Sequence, residues 1–131
     1  MKTFEKEINW VTWEFDADKN ETVETPHTKT ATFNELNRTD KRQHELHFML
    51  VDLFEGTAKA NGEADIDSIG LNPKGLLKIT VKAIEDLLTE NESFTKADKE
   101  GFLNDSMALL PFGIWLIKEK FTPFFSNFKV N

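Results

Sequence analysis

Apolar and polar positions alternate at the start of the chain. In FEKEINWVTWEF (4–15), Ile8 and Trp10 fall on one side of the alternation, and Val11, Trp13 and Phe15 on the other. The period of two and the β-branched and aromatic residues predict a strand. DADKNE (16–21) is turn-like, and TVETPHTKTATF (22–33) is rich enough in Thr and Val to pair back as a second strand. Pro26 has no N–H for a ladder, so this second strand is expected to lie at an edge or to break there.

After this hairpin the period changes. TFNE (32–35) matches a capping box, with Thr32 as N-cap and Glu35 answering it, and a short helical turn is expected to follow. Thr39-Asp40 is a second start signal. From there to about Ala60, Leu46, Met49, Leu50, Leu53 and Phe54 form a stripe at helical spacing, which Phe48 and Val51 widen. A helix apolar over so much of its girth is expected to be buried on more than one side. Asn61-Gly62 ends it, and EADIDSIGLNPKG (63–75) reads as a loop. A cleanly amphipathic helix resumes at Lys74, with Leu76, Leu77, Thr80, Ile84, Leu87 and Leu88 on one side, and stops at TENES (89–93). Thr95 and Asp98 start a short helix, and Asn104-Asp105-Ser106 caps the last one. Pro111, two turns into that helix, is expected to kink it, and Pro123 to begin a final turn. The pattern predicts a mainly α chain with a small N-terminal β-hairpin (α+β). It is taken as one domain, 1–131, made of a hairpin (1–33) and a compact part of about four to five helices (34–131).

Composition narrows what such a domain does. A net charge of −7 over 131 residues weighs against nucleic acid, whose phosphates demand clustered Lys and Arg. The absence of cysteine removes thiol nucleophiles, disulfides and Cys-based zinc sites. The acidic start MKTFEKEINW is read as no export signal, so the cytoplasm is the expected compartment. His44 and His47 stand three apart on the long helix without an evident third metal ligand. DADKNE and DIDSIG (65–70) begin like calcium loops, but each lacks the closing acid at its twelfth position, where His27 and Leu76 stand. No Gly-x-Ser-x-Gly or glycine-rich phosphate loop occurs. The expectation is a protein without catalytic residues, metal or cofactor.

The stretch MALLPFGIWLIKEKFTPFFSNF (107–128) is the most apolar in the chain. Its unbroken run, Met107–Ile117, is 11 residues long, against roughly 20 for a membrane span. The flank 84–105 carries seven acids against two lysines, which disfavours an anionic lipid surface. Leu110, Ile114 and Ile117 with Met107 and Phe121 suit a core. Phe112, Trp115, Leu116, Phe121, Phe124, Phe125 and Phe128 are the candidate partner-binding residues, and an apolar chain end suggests docking on this chain's own body or on another protein.

The order of these features resembles the tail assembly chaperones of long-tailed phages. An N-terminal β element precedes Thr32-Phe33-Asn34-Glu35-Leu36. Helices follow, then the acidic turn Phe102–Asp105, and ALLPFGIWLIKEKFTPFF (108–125) comes last. The Trp-rich first strand has no counterpart in that resemblance. The resemblance implies a mostly helical, non-enzymatic protein that keeps the apolar tape measure protein soluble, or binds tail tube subunits, during tail morphogenesis. It also implies possible self-association, and action in the host cytoplasm if the protein is phage-encoded. The alternative, from another class, is a small acidic inhibitor or regulator that binds a host protein.

Overall fold

The computed structural model describes residues 2–56 and 73–126. Two antiparallel strands, β1 (Thr3–Asp16) and β2 (Glu21–Asn34), pair over 14 residues each with no break in register. A 3₁₀ turn (Lys41–Gln43) leads into α1 (His44–Gly56). After α2 (Pro73–Leu87) a two-residue strand, β3 (Leu88–Thr89), pairs with Thr32 and Phe33 of β2, giving the order β1-β2-β3. The described residues end with α3 (Lys96–Leu103), α4 (Ser106–Leu116), a π-helical turn (Ile117–Phe121) and α5 (Thr122–Ser126).

The expectation of a mainly α chain with only a small hairpin is therefore overturned. The hairpin is long, and a third strand joins it from the part read as helical. The capping box at Thr32–Glu35 is overridden for the same reason. Phe33 stacks on Phe4 across the strands (5.3 Å between centroids) and is buried, so long-range pairing holds Thr32–Asn34 in β2. The ladder runs past the strand end, where Glu35 N–H donates to the carbonyl of Lys2 (3.0 Å). A local capping signal worth about 1 kcal/mol cannot compete with burying a phenylalanine and completing a ladder.

Pro26 sits opposite Val11, far from the two positions where β3 pairs, so at that point β2 has an open side. The turn Ala17–Asn20 is tied by the Asp16 carboxylate, whose Oδ1 accepts from Asp18 N–H (3.0 Å) and Lys19 N–H (3.3 Å). Asn20 takes a positive φ of 51°.

One face of the hairpin, with Phe4, Ile8 and Trp10 from β1 and Ala31 and Phe33 from β2, is covered by the helices. Leu46, Leu50, Leu53 and Phe54 of α1 join this core, as do Leu76, Ile79, Ile84 and Leu87 of α2 and Phe102 of α3. Phe48 does not: it is 68% exposed, so α1 is buried on one side only. Thr95 and Asp98 start α3 as expected, and they do so through a full capping box, Asp98 N–H donating to Thr95 Oγ1 (3.3 Å) and Thr95 N–H to Asp98 Oδ2 (2.9 Å). The end of the long helix and residues 63–72 of the loop read at 63–75 lie outside the described residues, while Pro73, Lys74 and Gly75 of that stretch already belong to α2.

The last helix departs from expectation in a different way. α4 runs unbroken through the exposed Pro111. The change of geometry comes later, in the π turn just ahead of Pro123, where Thr122 Oγ1 donates to the carbonyl of Ile117 (2.8 Å). Pro123 has no N–H and its ring crowds the carbonyl one turn back, and a widened turn relieves that crowding. Among the described residues no helix is long and apolar enough to cross a membrane.

Candidate functional site

The fold absorbs much of the apolar C-terminal stretch. Phe112, Leu116 and Phe121 are buried in the core, with Leu109 and Ile117. Phe112 packs between Phe33 (5.4 Å) and Phe102 (5.4 Å). Trp115 is half-buried, stacked on Phe112 (6.1 Å), with Lys6 Nζ at 4.4 Å and Lys120 Nζ at 6.0 Å from its ring. Both ammonium groups lie within reach of a cation–π contact with the indole. Phe124 is half-buried against His47 (5.3 Å). The backbone of Phe125 belongs to α5, and Phe128 lies outside the described residues. Of the candidate partner-binding residues with described side chains, Trp115 and Phe124 keep some surface.

The histidine pair is structural in its contacts. His44 and His47 rings are 6.0 Å apart, and His47 Nε2 lies 3.1 Å from Oε1 of the buried Gln43. Gln43 also accepts from Asn37 N–H (2.7 Å) and donates to the carbonyl of Glu35 (3.2 Å), so it anchors the crossing from β2 to α1. Burial and the neighbouring His44 charge lower the His47 pKa, against an opposing pull from Asp40. Among the described residues no three His, Cys, Asp or Glu side chains are grouped to hold a metal ion. The DIDSIG loop lies outside those residues, and the carboxylate that opens DADKNE is engaged in its own turn.

The exposed apolar surface lies elsewhere. Trp13 is 67% and Phe15 64% exposed. Both stand on the face of the hairpin opposite the core, in line with Val11 and across from Glu24 and Thr22, while Val11 faces Pro26. Near Thr12 the cover from α3 is close: a Cβ on Gly101 would meet Trp10 Nε1 at 2.8 Å and Thr12 Cγ2 at 3.3 Å. From Trp13 to Thr22 every residue is exposed apart from the half-buried Asp16. This tip carries the acids Glu14, Asp16, Asp18, Glu21 and Glu24 against a single base, Lys19. It is an aromatic pair on a rigid ladder within an anionic rim.

Sequence reasoning put Val11, Trp13 and Phe15 on one face but did not single them out as a site. Alternation says that two faces exist and leaves open which one the helices cover. The signal was the partner strand: apart from Pro26, its outward positions are Thr and Glu, too little apolar surface to bury a tryptophan. Comparison with protein-family models, curated proteins and solved structures finds no match to this chain.

Proposed function

We propose that this protein is a non-enzymatic binding protein of the tail assembly chaperone kind, acting in the cytoplasm, where it holds an apolar segment of a tape measure protein or of tail tube subunits during tail morphogenesis. The observation that carries the proposal is the exposed pair Trp13 and Phe15 on the outward face of the hairpin tip. Two adjacent aromatic rings in water favour a partner's apolar surface, since tryptophan and phenylalanine supply large contact areas at small entropic cost. The acids around them and the net charge of −7 would keep a complex with an apolar client in solution. The docking role moves from the C-terminal stretch to the hairpin, because most of that stretch has partners within its own chain.

The test is co-expression with a tape measure protein, measuring soluble client. The double substitution Trp13→Asp/Phe15→Asp is expected to lower the soluble fraction at least several-fold. Full solubilisation by that variant would remove the hairpin tip from the function. The anionic rim also favours the second reading, a small acidic regulator that docks its aromatic tip in a basic cleft of a folded host protein. That protein would be recovered as a stoichiometric complex, with no solubilising effect on an apolar helix.

A further inference from the structure

The outer edge of β1 presents a second surface, separate from the hairpin tip. In an antiparallel ladder each residue turns both N–H and C=O either towards the neighbouring strand or away from it, in alternation. Lys2 turns its carbonyl to the β2 side, where Glu35 N–H donates to it (3.0 Å). Val11 turns its N–H away, onto Asp105 Oδ2 (2.9 Å). The register between them is unbroken, so Glu5, Glu7 and Asn9 turn their backbone groups outward with Val11. Among the described residues nothing pairs with those outward groups. Beside this edge runs a groove of about 360 Å³, lined by Lys6, Ile8 and Asn9 of β1 and by Met107, Pro111 and Trp115 of α4. Met107 is 72% exposed. Asp105 closes the edge at Val11, so the open run ends at Asn9.

Charge selects the occupant. Glu5 and Glu7 are both exposed on the outer face of the sheet. A second copy pairing edge to edge would set these acids against their own counterparts, which is unfavourable directly across strands. A segment with Lys or Arg at alternate positions would instead place cations beside them. Its intervening side chains point to the other face, over Met107 and Pro111, and are best apolar. We propose that the β1 edge from Glu5 to Asn9 is a strand-addition site for an extended, alternately basic and apolar segment of a partner protein, which pairs antiparallel to β1.

The probe is the synthetic peptide acetyl-Lys-Val-Lys-Val-Lys-Val-Lys-amide, added to the ¹⁵N-labelled full chain. Backbone amide exchange at Glu5, Glu7 and Asn9 is expected to slow about ten-fold or more on binding. In the proposed register the lysine N–H groups face β1 and the valine N–H groups face solvent. N-methylation of the lysines should therefore abolish binding, and N-methylation of the valines should leave it intact. Replacing valine by serine at equal charge should weaken binding at least ten-fold. The Trp13→Asp/Phe15→Asp variant should bind the peptide as the parent does, which separates this site from the chaperone proposal. Equal binding by both N-methylated peptides, equal binding by the serine peptide, or binding without protection at those amides would each overturn the proposal. So would concentration-dependent protection of the same amides without peptide, which would assign the edge to a second copy.

Discussion

At Gly113, α4 lies close against α2. A Cβ there would overlap Thr80 Oγ1 and crowd Thr80 Cβ (3.2 Å) and Cγ2 (3.3 Å). Thr80 is buried, and its hydroxyl donates to the carbonyl of Leu76 (2.7 Å), so the side chain cannot turn away without losing that bond. Gly113→Ala is therefore expected to cost about 1–3 kcal/mol in denaturant unfolding, despite the ~1 kcal/mol that alanine gains over glycine in helix propensity. Adding Thr80→Ala should recover part of the loss. If Gly113→Ala is as stable as the parent, the crossing is looser than drawn. His47 supplies a pH prediction. Its folded pKa lies below the ordinary histidine value of 6.5 because burial and the neighbouring His44 charge disfavour the imidazolium. The stability it contributes is thus complete above pH 6.5 and is lost as pH falls through the lower folded value. His47→Gln should flatten the dependence of unfolding free energy on pH below about 6.5. An unchanged slope would place the titration elsewhere.

The Asp105 carboxylate joins two elements, α4 and β1. Its Oδ1 accepts from Ala108 N–H (3.2 Å) as the N-cap of α4, and its Oδ2 accepts from Val11 N–H on the edge of β1. Thr95 caps α3 within its own segment. Thr95→Ala should cost about 1 kcal/mol, an ordinary cap loss. Asp105→Ala should cost about 1–2 kcal/mol more, because a charged acceptor for a strand N–H goes as well. Thermal unfolding of the two variants under one condition checks the ranking, and equal costs would mean that the Val11 bond contributes nothing. The caps of α3 and α4 were legible because Thr95, Asp98 and Asp105 lie within three residues of the groups they satisfy. β3 was not, because its two residues become a strand only when Thr32 and Phe33 lie beside them, and Thr89 Oγ1 adds a bond to the carbonyl of Thr32 (2.8 Å).

For the whole molecule, the tip and the body are energetically separable. Trp13 and Phe15 contribute to the sheet but not to the core, so Trp13→Asp/Phe15→Asp should change unfolding free energy by at most about 1 kcal/mol. Calorimetry of the variant checks this, and a collapse of the transition would mean that these rings support the fold. Trp115→Asp is no substitute as a binding test. Trp115 packs on Phe4 (6.1 Å) and Phe112 beneath two lysines, and an aspartate there would disturb the body itself.

The periodicity of the chain alone determined where strands and helices begin in most places. Alternation marked β1, the apolar stripe marked α1 and α2, and short-range caps marked α3 and α4. These are local quantities, set by pleat, helical pitch and hydrogen bonds only a few residues long. The tertiary structure decided what became of the apolar residues. It buried Phe112, Leu116 and Phe121, covered Trp115 with Lys6 and Lys120, and left Trp13, Phe15, Phe48 and Met107 in water. Hydrophobicity says that a side chain gains by leaving water. Only the packing of distant segments says which side chains find a place to do so, and the ones left outside are where this protein is expected to meet another.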